Sequence, residues 1–213
     1  MPYAKELKQT LVRMLGEVIE EPLAAHGFKR PRKSIVYARK VPDGRQTIEI
    51  HAWYNPPYGR PAEAHIYPFL RVYFPAVGDK LLELTGGDRK LASFPELMLN
   101  QPVLFCGPRE LNGGWYVSGW DQFLGAGREV VRYLLEWVIP FLSEIQTPEQ
   151  LLRAFLRADE RRISRAMESA IRMAAIYCLL GDTASAKALV EEKLGQPGNR
   201  RFYAKVFEYF EKL

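Results

Sequence analysis

The chain has 213 residues, of which 47% are hydrophobic and 26% charged, and its formal net charge at pH 7 is +5. These values are those of a folded protein with a sizeable core, and they exclude a disordered or low-complexity chain. No apolar run approaches the ~20 residues of a membrane span, and the N-terminus is too charged for a signal peptide. Cys106 and Cys178 stand far apart and outside any C-x-x-C spacing, so we expect a cytoplasmic protein.

The first predicted element is an amphipathic helix over residues 4–25. Its apolar residues recur at helical spacing and would form one buried stripe. The stripe contains Leu7, Leu11, Met14, Leu15, Val18 and Ile19. Gly27 follows as a helix stop, and Phe28 is placed for the hydrophobic contact that accompanies a Schellman motif.

A basic segment over residues 29–45 comes next. Its cations are Lys29, Arg30, Arg32, Lys33, Arg39, Lys40 and Arg45. Because Asp43 is the segment's one anion, the segment carries +6 and the rest of the chain about −1. Such a patch attracts phosphates, nucleic acid or an acidic protein. Alternatively, cations beside an edge hairpin discourage edge-to-edge pairing.

Three predicted strands over residues 34–40, 45–54 and 64–75 alternate apolar and polar residues, which predicts an antiparallel sheet. A three-residue loop after Val41 would set Tyr37 opposite Glu49; a two-residue loop is rejected because it would mix the faces. One face is then apolar. The other, the predicted polar face, carries Tyr37, Glu49, His51, Trp53, His65, Tyr67, Arg71 and Tyr73.

Within the third strand, Pro68 favours an edge position or a bulge. Asp79–Leu84 is predicted as a short helix. Two further strands are expected at Val103–Cys106 and Trp115–Ser118, with Asn112-Gly113 as a tight turn between them.

From about residue 126 the chain is predicted to be helical, with a kink at Pro140. Thr147-Pro148-Glu149-Gln150 has the pattern of a capping box. Further helices are expected over residues 161–180, 183–194 and 201–212. The sequence therefore predicts an α+β protein: an N-terminal helix on an antiparallel sheet of about five strands, then a helical C-terminal half. We place the domain boundary between residues 146 and 147.

Four arginines spaced four residues apart form a predicted ladder: Arg153, Arg157, Arg161 and Arg165. On one continuous helix they would make a connected stripe that could follow phosphates. Nearby acidic residues could instead make it an ordinary solvated face with ion pairs.

Two stretches resemble known families. The N-terminal helix, Gly27-Phe28-Lys29-Arg30 and the strands at 35–39 and 47–51 together resemble the start of uncharacterised bacterial α+β domains of unknown function. This resemblance covers about the first 75 residues, implies the fold and supplies no catalytic residues. Residues 174–190 resemble half of a tetratricopeptide hairpin, but no second copy follows at a 34-residue spacing.

Three functions remain open at this point. The first is a non-enzymatic module that binds an acidic protein or a small ligand on the predicted polar face, beside Lys29, Arg30, Arg32 and Lys33. The second is nucleic-acid or phosphate binding by the basic segment and the arginine ladder. The third is a metal-dependent or acid–base enzyme using Glu49, His51 and His65. The C-terminal helices could instead cover the polar face as a second core. No motif calls for a cofactor.

Overall fold

The computed structural model describes residues 2–57, 62–108, 114–157 and 167–213. They form an N-terminal helix, a five-stranded antiparallel sheet and a mostly helical C-terminal half, which confirms the predicted α+β class. The strands are β1 (Val36–Val41), β2 (Gly44–Tyr54), β3 (Ala64–Tyr73), β4 (Leu97–Pro102) and β5 (Trp115–Val117). The helices are α1 (Pro2–Met14), α2 (Glu20–Ala24), α3 (Pro75–Leu84), α4 (Phe123–Tyr133), α5 (Ile139–Glu144), α6 (Pro148–Leu156), α7 (Met167–Leu179), α8 (Thr183–Leu194), α9 (Pro197–Phe202) and α10 (Ala204–Glu211).

The strand order is β1-β2-β3-β4, and β5 pairs with β3 as well. β3 is therefore not an edge strand, so of the two alternatives predicted from Pro68 the edge position is wrong and the bulge stays a prediction. The β5 ladder pairs Ala64 with Val117 and Ile66 with Trp115. Because β3 has two sides and three partner strands, two of these strands pair with the same side of β3 at different positions along it. Pro68, which lacks an N–H to donate, comes just after the part of β3 that pairs with β5.

The chain divides into two compact units that interleave along the sequence. Unit 1 comprises Met1–Lys40, Arg45–Arg71 and Asn100–Ser143. Unit 2 comprises Val41–Gly44, Val72–Leu99 and Glu144–Leu213. The boundary at 146/147 stays a prediction.

In unit 1 the predicted N-terminal helix is present, and α1 runs through a π-helical turn, Leu15–Ile19, into α2. The stop at Gly27 is confirmed: its φ is 81°, and the Phe28 N–H donates to Leu23 O at 3.1 Å. α1 also packs on α4. Gly127 permits this close approach, because a Cβ there would lie 2.7 Å from Met14 Cγ.

The β1–β2 hairpin differs from the prediction by one residue of register. Its loop is the two residues Pro42-Asp43, and the Ile50 N–H donates to Ile35 O at 3.0 Å. Ile35 therefore lies opposite Ile50 rather than His51, which moves every β1 side chain to the other face. Tyr37 consequently lies on the core face, fully buried, where its Oη donates to Leu15 O at 3.0 Å.

Polar and apolar side chains share the core face of this hairpin, although the prediction rejected such mixing. Arg39 Nε donates to Gln46 Oε1 at 2.8 Å, and the guanidinium lies over the Phe28 ring. Gln46 is fully buried and its amide donates to Leu142 O at 2.7 Å. Because polar atoms with partners can be buried at low cost, an Arg–Gln pair extends the core face.

Other predicted elements differ from the observed ones, and these differences lie next to prolines. The strand predicted at Val103–Cys106 is wrong: β4 ends at Pro102, and a 3₁₀ turn occupies Val103–Cys106. The strand at Trp115–Val117 is confirmed, whereas Asn112-Gly113 lies outside the described residues. Ahead of Pro140 the helix adopts a π-helical turn over Leu134–Val138, since proline cannot donate to the carbonyl of Glu136.

Unit 2 contains α3 and the C-terminal helices, of which α7 packs on both α3 and α8. The capping box is confirmed, because Thr147 Oγ1 accepts from the Gln150 N–H and Gln150 Oε1 accepts from the Thr147 N–H, both at 3.2 Å. Asp182 caps α8 by accepting from the Ser185 N–H at 3.0 Å. Most of the last predicted helix, over residues 201–212, is present as α10, and a separate short helix, α9, precedes it and ends before Tyr203.

Across the four described stretches of the chain, no helix has both the length and the apolar character needed to cross a membrane.

Candidate functional site: an aromatic and polar sheet face

The candidate site lies in unit 1, on the face of β2 and β3 opposite the core. The alternation of β2 puts Glu49, His51 and Trp53 on that face. Their exposure rises along the strand: Glu49 is 7% exposed, His51 is half-buried and Trp53 is 50% exposed. The face is therefore neither a sealed second core nor a fully open groove.

The buried carboxylate of Glu49 organises the polar end of this face. Arg71 donates from a terminal guanidinium nitrogen to Glu49 Oε1, and His51 Nε2 lies 3.1 Å from Glu49 Oε2. Arg71 Nε in turn donates to Asn100 Oδ1 at 3.1 Å. We call Glu49, His51, Arg71 and Asn100 the Glu49 cluster. The hydrogen bonds of the cluster hold the Arg71 guanidinium in one orientation. A partner that binds to Arg71 therefore causes little further loss of side-chain entropy.

A series of rings continues from the cluster across β3 to β5, and we call it the aromatic strip. It consists of His51, Phe69, Tyr67, His65 and Tyr116. Successive ring centroids lie 5.7 Å apart from His51 to Phe69, 5.0 Å on to Tyr67, 5.2 Å on to His65 and 4.2 Å on to Tyr116. The first two pairs of rings, His51 with Phe69 and Phe69 with Tyr67, pack edge to face, and His65 stacks on Tyr116 within 5° of parallel. Both arrangements are favourable for aromatic rings.

His65 lies at the buried end of the strip. It is 5% exposed, and its ring stacks on Tyr116 from β5. Gly114, with φ of 68°, makes room for it: a Cβ there would lie 2.2 Å from His65 Nε2. Burial lowers the pKa of His65 below its usual value, because the charged imidazolium is the form that loses hydration.

The structure brings together six of the eight residues of the predicted polar face: Glu49, His51, Trp53, His65, Tyr67 and Arg71. Tyr37 lies on the core face, as described above, and its pKa is raised by burial. Tyr73 is half-buried and belongs to unit 2.

Sequence reasoning missed Phe69, Tyr116 and Asn100 as site residues. The same two-residue period that selected Tyr67 would have selected Phe69. Tyr116 and Asn100 could not be found this way, since only the pairing of β5 and β4 with β3 brings them to the face.

The basic segment divides into internal and exposed cations. Arg30 is internal: it donates to the Glu20 carboxylate and to Ser34 O, and its guanidinium lies over the Tyr37 ring. Arg39 is held as described, and burial lowers its pKa. The exposed members are Lys29, Arg32, Lys33, Lys40 and Arg45.

The arginine ladder is described only at its start, in unit 2. Arg153 is exposed and pairs with Glu149 four residues earlier, at 2.9 Å. Arg157 is exposed at the end of α6. Arg161 and Arg165 lie outside the described residues, so the continuous helix on which the ladder depends stays a prediction.

A metal centre finds no support in the described part of the chain. No group of three or more His, Cys, Asp or Glu side chains there is arranged to hold a metal ion. In the aromatic strip, Phe69 and Tyr67 intervene between His51 and His65, so the two imidazoles do not form a joint ligand pair.

No protein-family model, no curated protein and no solved structure matches the chain.

Proposed function

We propose that the chain is a non-enzymatic binding module of the cytoplasm, and that the face formed by the Glu49 cluster, the aromatic strip and Trp53 contacts a protein partner. The observation that supports this most is the half-exposed Trp53 on the same face of the sheet as Arg71, whose guanidinium is held by two partners. Tryptophan, tyrosine and arginine supply most hot-spot energy in protein interfaces. Cys106 and Cys178 do not form a disulfide, which fits a reducing compartment.

The charge of the partner follows from the exposed cations of unit 1. Lys29, Arg32 and Lys33 are exposed and stand close together in sequence. Such cations steer an acidic surface toward the site and raise the association rate more than the affinity. Arg30, which was expected to share this role, is committed to Glu20 within the fold.

The test measures how much partner protein is captured by the wild type and by two matched variants. Trp53→Ala removes a 50% exposed aromatic from the proposed face, and Phe202→Ala removes a 64% exposed aromatic from unit 2. We expect the wild type and the Phe202→Ala variant to retain one or more partner proteins. The affinity of the Trp53→Ala variant for the same proteins should be at least tenfold lower. The binding should then be reproduced with the purified partner. Equal retention by all three proteins would reject the face as the binding surface.

The exposed cations favour a second candidate, nucleic-acid binding by the basic segment. Contacts to single-strand phosphates lower the logarithm of the binding constant by about 0.7 per contact for each logarithm of salt concentration. Arg32→Ala with Lys33→Ala should therefore reduce the salt slope by about 1.4 in anisotropy titrations of a labelled oligonucleotide. Retention that does not respond to salt, or no binding at 50 mM salt, would remove this candidate.

A further inference from the structure

The two ring nitrogens of His51 have different surroundings. Nε2 lies 3.1 Å from Glu49 Oε2, while the other Glu49 oxygen accepts from Arg71. A carboxylate oxygen accepts hydrogen bonds, so the proton of the neutral imidazole belongs on Nε2. Nδ1 then carries a lone pair and can only accept.

Within the described residues, the hydrogen bond of His51 is made through Nε2, and Nδ1 has no hydrogen-bond partner. The ring also contacts Phe69, with 5.7 Å between the ring centroids and an angle of 88° between the ring planes. The His51 side chain is one-third exposed, so this acceptor meets solvent at the border between the Glu49 cluster and the aromatic strip. It is fixed in direction by the carboxylate behind it.

The lone pair of His51 Nδ1 determines what a ligand must bring to that atom, because both Glu49 oxygens and part of the Arg71 guanidinium already have partners within the cluster. Arg71 directs Nε to Asn100 and a terminal nitrogen to Glu49. Both Glu49 oxygens are occupied as well. A group that only accepts, such as a carboxylate, would meet the lone pair of Nδ1 and be repelled. A group that carries an N–H or O–H donor would satisfy it.

The surroundings of Nδ1 favour an aromatic carrier for that donor. Phe69 and Tyr67 are half-buried members of the strip, and Trp53 stands half-exposed on the same face. An incoming ring can make edge-to-face contacts with them while its polar edge reaches His51. We propose that His51 Nδ1 accepts a hydrogen bond from the indole N–H or the phenol O–H of a partner side chain. This inference rests on the proposed function and specifies the anchor of the partner.

Two substitutions separate the roles of the two nitrogens. His51→Gln extends an amide donor toward Glu49 and removes the acceptor at Nδ1. His51→Asn places an amide oxygen near the position of Nδ1 and loses the reach to Glu49. The backbone amide spectrum of each variant, compared with that of the wild type, reports whether it has folded.

The probe is N-acetyl-tryptophan amide, and its control is the same compound methylated at the indole nitrogen, which removes the donor. In NMR titrations of the wild type we expect the indole probe to bind about three- to tenfold more tightly than the methylated one, the value of one hydrogen bond. His51→Asn should keep this preference and His51→Gln should lose it. The long-range ¹H–¹⁵N spectrum of the His51 ring should show the proton on Nε2.

Three results would overturn the inference. They are a proton on Nδ1, equal affinity of the two probes for the wild type, and a preference that survives in His51→Gln. If both probes bind equally and shift the Trp53 and Phe69 resonances, the face binds aromatic groups and the proposed function stands without the His51 contact. If neither probe binds, the Nδ1 contact is rejected, and the capture experiment with Trp53→Ala still decides the proposed function.

Discussion

The two faces of the eleven-residue strand β2 differ in how burial varies along the strand. On the core face, Ile48 and Ile50 are both fully buried. On the opposite face, burial falls from Glu49 to Trp53 over five residues. A core face is uniform because every apolar side chain gains by leaving water. The opposite face is graded because its buried polar atoms must find partners, while the outer ring of Trp53 stays half-exposed.

The largest effect that separates the faces is a truncation in each. Ile50→Ala should lower the free energy of unfolding by about 2–5 kcal/mol, because it leaves a cavity in the core. Trp53→Ala should cost less than about 1 kcal/mol, since half of the side chain is already in water. Urea unfolding of the two variants measures the difference. Comparable losses would mean that Trp53 is part of the core.

The buried end of the graded face should respond next. Glu49→Ala leaves Arg71 and His51 without their shared acceptor, and we expect a loss of about 1–3 kcal/mol in the free energy of unfolding. The matched control is Glu149→Ala, which breaks a Glu–Arg pair whose two side chains are each 57% exposed. That control should cost about 0–0.5 kcal/mol. Equal effects in thermal or urea unfolding would show that burial does not strengthen the Glu49 cluster.

A third variant tests the face to which Tyr37 belongs. Tyr37→Phe removes the buried hydrogen bond to Leu15 O and should cost about 1–2 kcal/mol. Tyr209→Phe is the control: its hydroxyl bonds Glu83 at 3.2 Å at an exposed position, and its loss should cost under about 0.5 kcal/mol. A Tyr37→Phe variant as stable as the wild type would contradict the core placement.

Tyr37 also shows where sequence reasoning succeeded and where it stopped. Periodicity assigned the faces of β2 and β3 correctly, because Ile48, Ile50 and Ala52 alternate with Glu49, His51 and Trp53 in β2, and apolar residues alternate along most of β3. β1 is short and its two sets of side chains are both mixed, so register depended on the turn. Pro42-Asp43-Gly44 fits a three-residue loop with Gly44 at positive φ, but the φ of Gly44 is not positive. Gly44 is required instead by space, since a Cβ would lie 1.9 Å from Tyr73 O. Long-range packing of this kind leaves no local pattern, and the same holds for the positions of Asn100 and Tyr116.

The smallest effect concerns the buried end of the aromatic strip and depends on pH. Burial lowers the pKa of His65 in the folded protein, so on acidification the unfolded chain takes up the proton first. The stability contributed by a neutral His65 is therefore complete above the usual histidine pKa of about 6.5. It is lost progressively as the pH falls from there toward the lower folded value. His65→Phe keeps a ring against Tyr116 and has no proton to bind, so its free energy of unfolding should fall less between pH 7.5 and pH 5. The difference between the two urea-unfolding series isolates His65 from the carboxylates that titrate in both. Parallel curves would show that the imidazole is hydrated in the folded state, and that the aromatic strip is open at both ends.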